Sequence, residues 1–120
     1  MENVRFITIE DEEPDLVLSF ALDHTERGIK SLILQRTLKY EIFLPENERG
    51  VHVSMEGDED YEYNLLESIK IEKSTITISA SRKEYVLSIA RIEEVQIKEM
   101  RKFIRKLNFD SNFLVHDTKK

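Results

Sequence analysis

The sequence has no cysteine, and only three glycines and two prolines occur among its 120 residues. Without cysteine there is no disulfide framework, no thiolate nucleophile and no thiolate metal site. Three isolated glycines supply neither a phosphate-cradling loop nor a Gly-x-Ser-x-Gly nucleophile elbow. These absences exclude several common kinds of site and suit a reducing compartment.

Long apolar segments are also missing. No run of about 18 apolar residues could span a membrane, and the N-terminus lacks the basic and apolar regions of a secretion signal. We therefore expect a cytoplasmic protein with no membrane partner. The formal net charge of -6 argues against nucleic acid as a partner, because nucleic-acid-binding domains generally carry a large basic face. The acidity suits a basic protein partner, and it equally suits solubility alone.

Residues that could bind metals are present without the necessary spacing. His24, His52 and His116 are far apart and form no paired-histidine motif, so a zinc site is not predicted. A calcium loop beginning at Asp58 would have tyrosine instead of glycine at its sixth position and isoleucine instead of glutamate at its twelfth. With no assembled catalytic constellation, the sequence predicts a protein that is not an enzyme and uses no metal or cofactor.

Apolar residues make up 40% of the chain and charged residues 35%, and the apolar ones recur in periodic groups typical of a globular domain. A chain of this length can bury about two thirds of the surface that its unfolded form exposes. We predict that residues 1–120 form a single domain. The tail, residues 109–120, is expected to add Phe113 and its neighbours to the core before it frays.

The densest apolar run of the first half spans residues 31–36 and ends in Leu34-Gln35-Arg36. A short apolar run bounded by polar residues predicts a central strand buried on both faces. An amide or guanidinium at the end of such a strand needs hydrogen-bond partners. We expect Gln35 and Arg36 to find them inside the protein, with direct contact to a binding partner as the alternative.

Other segments show the period of β-strands, and short polar connections between them predict antiparallel pairing. Residues 10–15, with five carboxylates and a proline, are predicted as an exposed hairpin turn. Residues 37–44 are predicted as a further strand or an ordered edge segment. The remaining predicted strands are residues 4–9, 16–22, 51–55, 65–71, 75–80 and 85–90.

Between residues 93 and 107 the period changes to about 3.6, which predicts an amphipathic helix. Its basic side is interpreted as a solvated face. The predicted fold class is therefore α+β, a mostly antiparallel β-sheet with one C-terminal amphipathic helix packed on it. The apolar stripe of this helix consists of Ile97, Met100, Phe103, Ile104 and Leu107.

A second acidic loop lies at residues 56–64 and holds five carboxylates and two tyrosines. Concentrated negative charge beside aromatic rings is typical of a surface that meets a cationic protein. A merely solvated loop is the simpler alternative. The predicted partner-binding residues are Asp58, Glu59, Asp60, Tyr61, Glu62 and Tyr63.

In three features the chain resembles the immunity-protein-ten family of bacterial polymorphic-toxin systems. They are the strand end Leu34-Gln35-Arg36, the segment Tyr61-Glu62-Tyr63-Asn64, and the strands closed by an amphipathic helix over residues 69–107. The resemblance covers about residues 3–107. It implies a small cytoplasmic inhibitor that binds a cognate toxin domain and blocks its activity. The alternative function is a non-enzymatic interaction module that uses the acidic tyrosine-bearing loop or an open sheet edge.

Overall fold

Eight strands form one sheet in the computed structural model, which describes residues 1–24, 26, 28–58 and 64–118. Two helices accompany the sheet: the short α1, Leu38–Glu41, and the long α2, Glu94–Leu107. A 3-10 turn, Glu46–Glu48, follows α1. The strands are β1 Glu2–Glu12, β2 Asp15–His24, β3 Gly28–Thr37, β4 His52–Met55, β5 Leu66–Ile71, β6 Thr75–Ala80, β7 Glu84–Ser88 and β8 Leu114–Asp117.

The strand order is β4-β3-β2-β1-β7-β6-β5-β8. It consists of two antiparallel meanders, β1 to β4 and β5 to β7, which confirms the predicted hairpins. The meanders join where β1 pairs with β7 in parallel, and β8 adds to β5 in parallel. The sheet is thus largely antiparallel but mixed.

The sheet curls until β4, the strand at one end of the spatial order, meets the start of β5. The Val53 N–H donates to the Asn64 carbonyl at 2.9 Å, and the Leu66 N–H donates to the Val51 carbonyl at 2.8 Å. The buried Asn64 side chain reinforces this contact: its amide donates to the Val53 carbonyl and its oxygen accepts from the Arg82 N–H. The curl turns one face of both meanders toward a common apolar core.

Helix α2 packs against β1 and β2 and contributes its apolar stripe to this core. All five predicted residues of the stripe are buried, so the predicted helix and its buried face are confirmed. Phe113 is buried as well, and the segment beyond it continues as β8 through Asp117, whereas fraying was expected there. The strand is short and parallel, and its own alternation is too weak to have predicted it.

Three other local expectations are wrong. The strand β3 lies in the interior of the sheet order, but only one of its faces is buried, because Gln35 is exposed between the buried Leu34 and Arg36. The acidic residues 10–12 continue β1, and the turn is reduced to Glu13 and Pro14. Of the two alternatives predicted for residues 37–44, the strand is wrong, because the chain leaves the sheet after Thr37, the last residue of β3, and forms α1.

Candidate protein-binding surface

Arg36 is the largest fully buried side chain of the described residues, with 1% of its surface exposed. Its Nε and Nη2 donate to the two carboxylate oxygens of Glu41 at 2.8 and 3.0 Å. Nη1 and Nη2 donate to the two oxygens of Asp110 at 2.9 and 2.8 Å, and Nη1 also donates to the Leu107 carbonyl at 2.8 Å. All five N–H groups of the guanidinium are therefore satisfied.

This cluster, Arg36 with Glu41, Leu107 and Asp110, joins three parts of the chain. Arg36 ends β3, Glu41 belongs to α1, and Leu107 is the last residue of α2, where a cation is favoured by the helix dipole. The prediction that Arg36 is hydrogen-bonded within the protein is confirmed. The same prediction fails for Gln35, because its side chain is exposed and has no hydrogen bond to the described residues, although its backbone belongs to the β-sheet. Residues 35 and 36 point to opposite faces of the strand, so only one could reach the cluster.

Burial alone would lower the pKa of Arg36, but the hydrogen bonds that Arg36 donates to Asp110 and Glu41 outweigh it and raise that pKa above its ordinary value. The reciprocal effect is seen at Asp110, whose pKa is lowered below 3.8, first by its hydrogen bond from Arg36. Arg36 and Asp110 are consequently both charged near neutral pH.

We expect acid to weaken this cluster. Because the pKa of Asp110 is lower in the folded than in the unfolded protein, its stabilising contribution is complete above the unfolded value of 3.8 and is lost as pH falls through the lower folded value. Urea unfolding from about pH 6 to about pH 2 measures this dependence. The Asp110→Asn variant should show a flatter dependence below about pH 4. Equal slopes for the two proteins would contradict the assignment.

The segment that Arg36 attaches to the sheet exposes three large apolar side chains. Tyr40 is 56% exposed, Ile42 73% and Phe43 77%. They fall within four consecutive positions of α1 and the turn after it. Phe109 is also exposed, and its ring lies under the Arg36 guanidinium, 4.6 Å from ring centroid to the guanidinium carbon. Isolated exposed apolar residues are ordinary, but neighbouring ones often mark an interaction surface.

The backbone of this segment is held in place at both ends. The Leu38 N–H donates to the Pro14 carbonyl at 3.1 Å, and the Arg49 Nε donates to the Leu44 carbonyl at 2.9 Å. Between them the Phe43 N–H donates to the Tyr40 carbonyl at 3.2 Å. Together with the Glu41 ion pair, these bonds hold the backbone that carries the exposed apolar side chains. We call Tyr40, Ile42 and Phe43 the α1 surface.

A cleft of about 320 Å³ opens beside the α1 surface, near the lower limit for ligand pockets. It lies between α1, the 3-10 turn and the start of β4. Tyr40 belongs to both the surface and the cleft. The lining residues are Gln35, Thr37, Tyr40, Glu41, Leu44, Glu48, Gly50 and His52.

The cleft has an acidic character. Glu41 and Glu48 both line it, and none of the described lining residues is a lysine or an arginine. Glu41 is occupied by Arg36, whereas Glu48 forms no ion pair with the described part of the chain. The Tyr40 ring, which has the Lys39 ammonium 5.5 Å from its centroid, and the amide of Gln35 complete the wall.

Of the six predicted partner-binding residues, only Asp58 belongs to the part of the chain that the structure describes. Asp58 forms an ion pair with Lys83 at 2.6 Å, which ties the start of the loop to the β6–β7 connection. Glu59, Asp60, Tyr61, Glu62 and Tyr63 lie outside the described residues. The loop follows β4 at Met55, whereas the α1 surface lies at the opposite end of the β3–β4 hairpin.

Within the described residues, no group of three or more histidine, aspartate and glutamate side chains is arranged to hold a metal ion. Among the described helices, none has the length and apolar composition needed to cross a membrane. The molecule is thus a mixed α+β domain with an ordered, exposed aromatic surface. Comparison of the chain with protein-family models, curated proteins and solved structures gives no match.

Sequence reasoning missed Tyr40, Ile42, Phe43 and Glu48 as candidate functional residues. It grouped Tyr40 and Ile42 with Leu38 and Leu44 as one face of an alternating strand. Phe43 puts a second large apolar residue directly beside Ile42, but adjacent apolar residues also occur in β3, so no local signal marks this segment as exposed. Adjacent apolar residues would cover both faces of a strand, yet here both are exposed.

Proposed function

We propose that this protein is an immunity protein, a cytoplasmic and non-enzymatic inhibitor that binds a cognate toxin domain of a polymorphic-toxin system and blocks its activity. One observation carries the proposal. Arg36, in the Leu34-Gln35-Arg36 strand end on which the family resemblance rests, holds an exposed aromatic segment in a fixed arrangement. The resemblance thus coincides with a surface suited to binding another protein.

The physical properties of the chain support this role. Aromatic and aliphatic side chains on a backbone that is already fixed can anchor a complex with less entropy cost than the same residues on a flexible loop. A net charge of -6 would accelerate encounter with a basic partner. In this proposal the acidic residues 58–63 act mainly on the association rate.

The test begins with a search for a toxin domain encoded beside the gene for this chain, and then measures protection from that domain. Expression of that domain alone should stop growth, and co-expression of this protein should restore it. A catalytically inactivated toxin domain should form a stoichiometric complex with the purified protein in size-exclusion chromatography and calorimetry. Inhibition without turnover requires such a complex.

The control for this test is an unrelated toxin domain, which the protein should neither bind nor neutralise. Absence of both protection and complex formation with the neighbouring toxin domain would refute the proposal. Protection without a complex would also refute it, because it would imply an enzymatic or indirect route.

A second candidate function is the addition of a partner strand to the sheet. The observation that favours it is the position of β8 at the end of the strand order, with Leu114 exposed and β5 as its only paired strand among those described. Such a module would bind an extended peptide through backbone hydrogen bonds. Loss of binding on placing proline within β8, with the fold retained, would favour this function.

A further inference from the structure

We propose that the α1 surface is the docking surface for a basic protein, and that a lysine or arginine side chain of that protein enters the adjacent cleft. The inference rests on the proposed function and names the part of the molecule that a toxin domain would contact. It differs from the prediction based on the sequence, which placed the contact at residues 58–63.

The exposed side chains of the α1 surface have no visible role in folding. Ile42 and Phe43 lie outside the hydrophobic core, with roughly three quarters of each side chain exposed. Their backbone is nevertheless fixed by the bonds around Leu38, Leu44 and Glu41. An ordered segment that displays apolar side chains to solvent gains from burying them against a partner.

The charge of the cleft specifies the partner. Glu48 lines it without a cationic partner among the described residues, next to the Tyr40 ring. A lysine or arginine side chain in the cleft could pair with Glu48. The Tyr40 ring already has the Lys39 ammonium 5.5 Å from its centroid, so the preference of the cleft for a cation rests on Glu48. The nearby Gln35 carbonyl oxygen and His52 ring offer further polar contacts.

Other occupants fit less well. A second copy of the chain in a twofold arrangement would bring the Glu48 side chains and other acidic groups of both copies toward each other. A nucleic acid would bring phosphates against Glu41 and Glu48. A basic protein with an apolar recess for Ile42 and Phe43 satisfies both the apolar and the acidic parts of the surface.

The experiment measures binding of the inactivated toxin domain to the full-length protein and its variants by surface plasmon resonance. The Phe43→Ser and Ile42→Ser/Phe43→Ser variants should raise the Kd by about 30-fold or more, the threshold for an interface hot spot, mainly through faster dissociation. Glu48→Lys should also raise the Kd and slow association at low salt. Thermal unfolding should match the wild-type protein, since Ile42 and Phe43 are exposed and Glu48 forms no ion pair with the described residues.

Matched controls lie on other faces. Val95→Ser removes an equally exposed apolar residue from α2, and Glu67→Lys reverses a charge on the exposed side of β5. Neither should change the Kd more than about threefold. Neutralising Asp58, Glu59 and Asp60 together should slow association alone. Loss of binding in Tyr61→Ala, with Phe43→Ser at wild-type affinity, would overturn the inference in favour of the acidic loop.

Failure of the inference and failure of the proposed function give different results. If the wild-type protein does not bind the toxin domain, the proposed function fails and the inference falls with it. If wild type binds and the α1 surface variants bind equally well, only the inference fails. A free protein that sediments as a dimer and becomes monomeric in Phe43→Ser would show that a second copy occupies the surface, which also overturns it.

Discussion

Replacing Arg36 with methionine should lower the free energy of unfolding by about 3–5 kcal/mol, the usual cost of removing one partner from a buried charge cluster. The methionine would leave Glu41 and Asp110 facing each other without their shared cation. It would also leave the Leu107 carbonyl without its donor. Urea unfolding at neutral pH measures the loss, with Arg5→Met as the control. Arg5 pairs with Asp23 on the surface, so its replacement should cost less than about 1 kcal/mol.

The origin of the loss can be tested by removing the unpaired carboxylates as well. The triple variant Arg36→Met/Glu41→Gln/Asp110→Asn should recover much of the stability, because it no longer holds like charges together. Arg36→Lys should not recover it, since an ammonium cannot reproduce two bidentate contacts at once. A single Arg36→Met variant as stable as the wild-type protein would show that the cluster contributes little.

Replacing Ile104 with alanine should lower the free energy of unfolding by about 2–5 kcal/mol. Ile104 is 1% exposed and lies in the apolar stripe of α2, at the centre of the contact between helix and sheet. Truncation removes buried methyl and methylene groups and leaves a cavity that the surrounding residues fill only in part. Chemical unfolding of both proteins under the same conditions gives the difference.

The matched control is Val95→Ala on the same helix, where the side chain is 64% exposed. This change should alter stability by no more than about 0.5 kcal/mol, because it removes little buried surface. A loss below about 0.5 kcal/mol for Ile104→Ala itself would mean that α2 is held by something other than its apolar stripe.

The parts of the fold that follow from local pattern could be predicted. The stripe from Ile97 to Leu107 has the period of a helix, and the apolar alternation of residues 75–80 and 85–90 has the period of strands joined by short turns. In both cases the buried faces are those expected. Local periodicity and short connections are sufficient because these elements pair with their neighbours in sequence.

Pairings between distant segments could not be predicted from pattern. The parallel contact of β1 with β7 involves only Glu2 and Asn3 on one side, and β8 is recognised only by its position beside β5. Residues 37–44 alternate as a strand would, yet β3 already has β4 and β2 as neighbours and the segment turns away. The tertiary arrangement overrides the local preference there.

The candidate site was predictable only in part. A guanidinium at the end of a buried strand needs hydrogen-bond acceptors, and Arg36 has them in Glu41 and Asp110. Its partner Asp110 stands among ordinary polar residues after α2, so nothing local marks it. The exposure of Ile42 and Phe43 depends on how α1 leaves the sheet, which composition does not encode.

The cluster around Arg36 can form only late in synthesis, because its members are far apart in the sequence and leave the ribosome at different times. Arg36 is separated by 71 residues from Leu107 and by 74 from Asp110. At synthesis rates of roughly 5–20 residues per second, Arg36 is therefore made roughly 4–15 s before Leu107 and Asp110, which accept its hydrogen bonds. During that interval the first meander also lacks α2, so its apolar face is open to chaperones and to neighbouring nascent chains. The segment bearing Tyr40, Ile42 and Phe43 acquires its final anchoring only when translation has passed Asp110.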